Sequence, residues 1–301
     1  MREPDWRLLV KTSTYHTKAS GSWSLKSLGA LDPLARNEQR LGRPQPVLRC
    51  SAMEKSRPAL MLVGFGVDNG LQLTIEGQRA VSAAEHVYSI GLPEVLRSQF
   101  RSSRIPVTEL DERFNEGDDY AAAYLDVADY VLKQAAIEPP VALLVPGNPM
   151  FQNTLSRFLV QIARQRRIAV QLFPSVSIVD ALISDIGLDV TAGGLQVFDA
   201  RRLVRRAWTI NAHIPLFVLA LGGLFEGADD ASSRADSLGA LGAHLGGFYP
   251  QGHAVTLVTR STGRGEIGHS TVQLRRLADL APHVTLSSAL FVDVVREARS
   301  P

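Results

Sequence analysis

Cysteine is almost missing from this sequence: Cys50 is the only one in 301 residues. A single thiol excludes a disulfide framework within the chain and a zinc site built from several cysteines. It suits a reducing compartment, and a cytoplasmic location is expected. Long apolar runs are missing too. No stretch approaches the roughly eighteen apolar residues of a membrane-spanning helix, so no membrane association is expected. The longest run, Ile214 to Leu224, contains Pro215, Gly222 and Gly223 and reads as a buried strand. The histidines (His16, His86, His213, His244, His253, His269 and His283) show no ligand spacing such as His-x-x-x-His, so no metal is expected. Residues 1–52 have no compact apolar segment of the signal-peptide kind.

What is present is a chain of ordinary globular composition, 45% hydrophobic and 21% charged. Its net charge of +2 hides an asymmetry: residues 1–52 carry nine Lys/Arg against four Asp/Glu, and the rest carries 23 against 26. The basic character belongs to the leader, and the slightly acidic remainder argues against a nucleic-acid partner. Residues 1–52 are rich in Ser, Arg, Gly and Pro, and read as a disordered extension or a misassigned start, with Met53 as the alternative start.

From residue 59 onward strands and helices alternate. Ala59 to Val63 is an apolar strand running into Gly64-Phe65-Gly66. Thr74 to Ala84 reads as a helix capped by Thr74, with Ile75, Ala80, Val81 and Ala84 available to face inward. His86 to Ile90 is a strand, and Asp118 to Ala136 has a good helical period. Val141 to Val145 is a strand closed by Pro146-Gly147-Asn148-Pro149. Gln152 to Arg167 is a helix with a basic last turn. Ala169 to Phe173 is a strand and Ser177 to Ile186 a short helix. Four further strands follow, over Gly194–Phe198, Ile214–Ala220, Ala254–Thr259 and Ala289–Val294, with one good helix over Ser232–Leu245. Gly239 to Gly247 reads as tight packing or a loop, and Trp208 as a packing residue. This is an α/β layout of two domains, 59–174 and 175–296.

Three turns at strand ends are candidates for chemistry. Ligands in α/β sheets sit outside the carboxyl ends of strands. Gly64-Phe65-Gly66 lets a ligand approach the backbone, and equally reads as a plain tight turn. Gly147-Asn148-Pro149 is a rigid turn before a helix, and reads equally as an ordinary connection. Pro174-Ser175-Val176-Ser177 places Ser177 either as the cap of the next helix or as a donor to a cofactor carboxylate. The pairs Arg201-Arg202 and Arg205-Arg206 read as a solvated face.

In order and spacing, the Gly64-Phe65-Gly66 turn followed by Leu73-Thr74, the Gly147-Asn148-Pro149 turn and the Pro174 to Ser177 turn resemble the tetrapyrrole methylase superfamily over nearly all of 59–296. Further stretches are similar to the borosin-type peptide backbone N-methyltransferases of that superfamily: His86-Val87-Tyr88, Asp180-Ala181-Leu182 through Asp189, Gly194 to Ala200, His213 to Phe217, and Leu286 to Val292. Some positions depart from the family. Gly66-Val67-Asp68 stands in place of Gly-Pro-Gly, Asn148 in place of Asp, and Ser175 in place of Gly. Phe114 falls where a tyrosine is expected and Tyr120 where an arginine is expected, while Tyr124 matches a tyrosine.

The resemblance implies a homodimeric methyltransferase using S-adenosyl-L-methionine, folded into a cleft between the two domains and held by Gly64, Gly66, Gly147, Asn148, Pro149, Ser177, Ala200 and Phe217. It implies Tyr124 and Tyr120 as the groups beside the acceptor. An unperturbed tyrosine, with a pKa of about 10, is a poor base, and both tyrosines read also as a helix face in the core. The implied acceptor is a peptide or another specialised small molecule. A tetrapyrrole acceptor, ribosomal RNA, and a non-catalytic domain that binds the cofactor or a partner are the alternatives. Deleting residues 1–52 is expected to leave the melting temperature unchanged, which a thermal melt of the truncated chain checks.

Overall fold

The computed structural model describes residues 58–68, 70–114, 120–226, 228, 230–260, 267–285 and 288–295, with the backbone alone at 120 and 121. The leader 1–52, the side chain of Tyr120 and Leu286-Ser287 lie outside the described residues. All described residues belong to one compact unit, Met53–Pro301.

The first sheet contains β1 (Leu60–Gly64), β2 (His86–Ser89), β3 (Thr108–Glu109), β4 (Val141–Val145) and β5 (Val170–Phe173), in the order β3-β2-β4-β1-β5. Every pairing in it is parallel. β1 and β4 are buried at every residue, which is why both are unbroken apolar runs rather than alternating ones. α1 (Ile75–Ser82) and α2 (Glu94–Ser102) cover one face, burying Ala80, Val81, Leu96 and Phe100 against Met61, Val63 and Leu144. α3 (Tyr120–Ile137) and α4 (Thr154–Arg166) cover the other, burying Val127, Val131 and Leu159 against Leu60, Leu62 and Leu143. From β1 the chain winds to β2 on one side, and from β4 to β5 on the other. The winding therefore reverses at the β1/β4 pair, where open α/β sheets leave a crevice.

The second sheet contains β6 (Gln196–Asp199), β7 (Leu216–Leu219), β8 (Ala254–Arg260), β9 (Ile267–Gln273) and β10 (Ser288–Val292), in the order β6-β7-β10-β8-β9. Only β6 and β7 pair in parallel. α5 (Ile178–Ile186) and the short α6 (Val190–Gly193) precede it; α5 packs Leu182 against Phe217, Leu219 and Val258. α7 (Ala200–Arg206), α8 (Ala231–Leu245) and the 3-10 segment Leu274–His283 bury Leu203, Leu241 and Leu277 in a separate core.

Most boundaries expected from sequence lie within two residues of these. Thr74 caps α1, its hydroxyl accepting from the Gly77 amide at 3.0 Å. Trp208 packs beside Phe198, ring centres 5.6 Å apart. Within the Gly239 to Gly247 stretch, Gly242 sits inside α8, where an added Cβ would lie 3.6 Å from Leu277. One side chain is corrected: Ile75, expected to face inward, opens α1 on its solvent side and is 72% exposed. The sequence reading also had no place for α2, β3, β9 or the 3-10 segment. Among the described residues no helix is long and apolar enough to cross a membrane.

Leu62→Ala, a fully buried site, is expected to cost about 2–5 kcal/mol. Ile75→Ala should change stability by less than about 0.5 kcal/mol. Urea unfolding of the two variants checks this contrast.

Candidate functional site

The β1 and β4 strands run in register from Leu60↔Val141 to Gly64↔Val145, so their carboxyl ends finish level. Their turns then touch. Gly66 and Gly147 form an isolated antiparallel bridge, with the Gly147 amide donating to the Gly66 carbonyl at 2.9 Å. The third turn joins at the same point. A Cβ on Gly64 would lie 2.3 Å from the Gly147 carbonyl oxygen, 2.9 Å from Pro149 and 3.1 Å from Ser175. Glycine at 64 is thus set by the closeness of three chain segments. The turns expected to converge do converge.

Gly66 has a different reason. Its φ is +83°, and a Cβ there would lie 2.3 Å from the Cβ of Gln72. A side chain at 66 would therefore meet Gln72 first. The Gln72 side chain accepts from the Val67 amide (2.8 Å) and donates to Asp68 (3.0 Å), while its carbonyl accepts from the Ser175 hydroxyl at 2.6 Å. Gln72 therefore ties the first turn to the third.

Beside this junction lies a cavity of about 300 Å³, at the lower end of the range for small-molecule sites. Tyr124, Gly147, Asn148, Gln152, Asn153 and Ser177 bring polar atoms to it, and Val67, Ile90, Pro146, Phe151 and Ile178 are among its apolar walls. None of the described residues lining it is charged. Asn148 accepts from the Met150 amide at 3.0 Å, a turn that Asp would make equally. Ser177 is both cap and lining. Its hydroxyl donates to Asp180 at 2.6 Å and accepts from the Asp180 amide at 3.3 Å, so its proton is already committed. Tyr124 packs edge-on against Phe114, ring centres 5.3 Å apart, on the face that α3 covers. Nearby in the same core, burial first and then a hydrogen bond with Tyr130 push the Tyr88 phenol up to about 12, so it stays neutral.

Ala200 and Phe217 do not line the cavity. Ala200 is fully buried at the start of α7 in the separate core of the second sheet. Phe217 is fully buried 5.6 Å from Phe291, in the cluster against which the cavity residues Phe151 and Ile178 pack. It backs one wall. A second, more open depression of about 360 Å³ is walled by α1 alone, around Ile75, Gln78 and Arg79, and gathers no groups from separate elements. Among the described residues no cluster of His, Cys, Asp or Glu is arranged to hold a metal ion.

The sequence reading missed Asp68, Gln72 and Arg260. The Arg260 guanidinium donates to both oxygens of Asp68 (2.9 and 3.0 Å) and to Asp185. Burial opposes its charge, but the hydrogen bonds of Asp68 and Asp185 outweigh burial and raise its pKa. Arg260 and Asp68 lie 192 positions apart, so no local pattern joins them.

A family model described as Tetrapyrrole (Corrin/Porphyrin) Methylases matches residues 59–266. Similar proteins include a methyltransferase/ribosomally synthesized type III borosin cyclic peptide precursor of Anomoporia bombycina, 24% identical over 57% of this chain and 21% of its own length. Another is the methyltransferase/ribosomally synthesized cyclic peptide dendrothelin A precursor of Dendrothele bispora, 23% identical over 57% of this chain and 41% of its own length. The chain spans less than half the length of these curated relatives. Among solved structures, uroporphyrin-III C-methyltransferase of Thermus thermophilus shares the fold: TM-score 0.57 at 17% identity, over 78% of this chain and 94% of that one. The same enzyme complexed with S-adenosyl homocysteine gives 0.55 at 18% identity, over 79% and 97%.

Gly64→Ala is expected to lower stability by about 1–3 kcal/mol, because the new methyl meets backbone and a proline ring rather than a flexible side chain. A thermal melt alongside wild type checks it.

Proposed function

The chain belongs to the tetrapyrrole (corrin/porphyrin) methylase family, and from that membership we propose that it transfers a methyl group from S-adenosyl-L-methionine to an uncharged acceptor, a peptide or another specialised small molecule. The observation that carries the acceptor class is the uncharged lining of the cavity at the three-turn junction. A polycarboxylate acceptor entering such a cavity loses hydration with no cation to offset the cost. A neutral amide loses less, and hydrogen bonds with uncharged polar groups are enough to offset it. The borosin precursors among the relatives are consistent with this reading.

The residues fit the cofactor at the level of chemistry. Gly147 and Asn148 offer backbone and amide groups at the carboxyl end of β4, and Phe151, Ile178 and Ile90 supply apolar walls. When bound, S-adenosylmethionine would supply a methyl activated on a sulfonium: the acceptor's lone pair would form the new bond as the S–CH3 bond breaks, the sulfur would leave as a neutral thioether, and an amide acceptor would give up its N–H proton to solvent. The protein's part is then alignment and exclusion of water. Pro146 and Pro149 stiffen the turn after β4, and the tie from Ser175 to Gln72 holds the turn after β1 against it. We read Tyr124, which lines the cavity, as the group that orients the acceptor. Tyr120 is read as the second group on the same helix. Phe217 supports a wall from behind, and Ala200 belongs to the separate core of the second sheet. We read 59–174 and 175–296 as the two domains, and the working form as a cytoplasmic homodimer.

The test is direct. Calorimetry should show binding of S-adenosylhomocysteine to the wild-type chain, and labelled S-adenosylmethionine should pass its methyl to a neutral peptide. Tyr124→Phe should lower turnover by about 10²-fold or more with the affinity for S-adenosylhomocysteine unchanged. Transfer to a polycarboxylate tetrapyrrole but to no neutral acceptor would overturn the acceptor class.

A further inference from the structure

Arg260 comes from the end of β8 in the second sheet, yet both of its carboxylate partners belong to segments that build the cavity. Asp68 follows Val67, a cavity residue, in the turn after β1. Asp185 is on α5, whose first residues, Ser177 and Ile178, line the cavity from the other side. The guanidinium is 12% exposed, Asp185 is 9% exposed and Asp68 28%. The connection continues inward: Asp68 accepts from Gln72, and the Gln72 carbonyl accepts from Ser175. One chain of polar contacts therefore runs from α5 through Arg260 and Asp68 to the turn after β5.

We infer that Arg260 is a positioning residue: by bridging Asp68 and Asp185 it fixes the turn after β1 against α5 and so sets the width of the cavity between them. The inference rests on the reading of that cavity as the cofactor site. A buried charge network is a poor source of stability, because desolvation consumes most of the attraction and apolar packing does as well. What a planar fork with two fixed carboxylate partners provides is a defined distance and angle. That is what two segments from opposite sides of a ligand site need, since small misplacements of groups around a reacting centre have large effects. Arg276 with Asp279, by contrast, are neighbours on one segment, and both are more than half exposed.

Three proteins decide it: wild type, Arg260→Lys, and the double variant Arg260→Gln with Asp185→Asn. The double variant removes one charge of each sign and so keeps the net charge of the network, while Asp68, the most exposed of the three, keeps its hydrogen bond from Gln72. Two readouts are taken well below the melting temperature. The first is hydrogen exchange of the free protein at the amides of Val67 and Leu71, which donate to Gln72 Oε1 and to the Asp68 carbonyl. The second is the dissociation constant for S-adenosylhomocysteine by calorimetry. The expected result is faster exchange at those amides in the double variant, with unchanged exchange in β10. Binding should be about tenfold weaker, and Arg260→Lys should fall between, because it keeps the charge and loses the fork. Unchanged exchange at Val67 and Leu71, or unchanged affinity in a double variant that exchanges faster there, would overturn the inference. If the wild type itself fails to bind, the reading of the cavity fails, and the claim about its width fails with it. The exchange data would then show separately whether Arg260 holds the turn.

Discussion

The backbone contact between Gly66 and Gly147 governs how the rest of the site is arranged. Two parallel strands that end level send their chains in opposite directions, one to α1 and one to α4, and they must separate immediately. Here they do so while still sharing one hydrogen bond, which holds the two turns together at the point of divergence. The approach is close enough that Gly64 has no room for a side chain, and the Ser175 turn fills the remaining side. The crevice beside this junction is bounded by whatever each departing chain carries next: Val67 from the first, Asn148 and Phe151 from the second, and Ser177 from the third. Position in the crevice is thus inherited from strand register, and strand register is set by two fully buried apolar strands.

Local chemistry is what the sequence displays well. Val141 to Val145 could be bounded to the residue because an all-apolar run between a proline pair and Pro146 has no other reading. Thr74 and Ser177 could be named as caps because a hydroxyl ahead of an apolar period has a specific use, and Ser177 with Asp180 proves to be a full capping box. What sequence conceals is of two kinds. Elements with a weak pattern escape: α2 buries only Leu96 and Phe100, and β9 is an edge strand with no buried residue. Facing is lost where a period begins, as at Ile75, because the first residue of a helix has no preceding turn to fix its side.

The other kind is distance along the chain. Gln72 carries no signal, yet it makes both the turn after β1 and the link to Ser175. Arg260 looks like the end of an ordinary strand, and its role depends on Asp68 far earlier in the sequence. Gly66 has a further reason that no local pattern shows: its positive φ and the closeness of Gln72 both require glycine.

The uncharged lining of the cavity has a kinetic side. Clefts lined by one sign of charge gather counter-charged ligands from solution and speed their capture, an advantage that salt removes. No described residue at the walls of this cavity is charged, so they supply no such field. A neutral-walled cavity gathers ligands by unguided diffusion and sorts them by shape and by a few hydrogen bonds, so discrimination resides in how long they stay. A site of this kind performs alike in dilute and in concentrated salt.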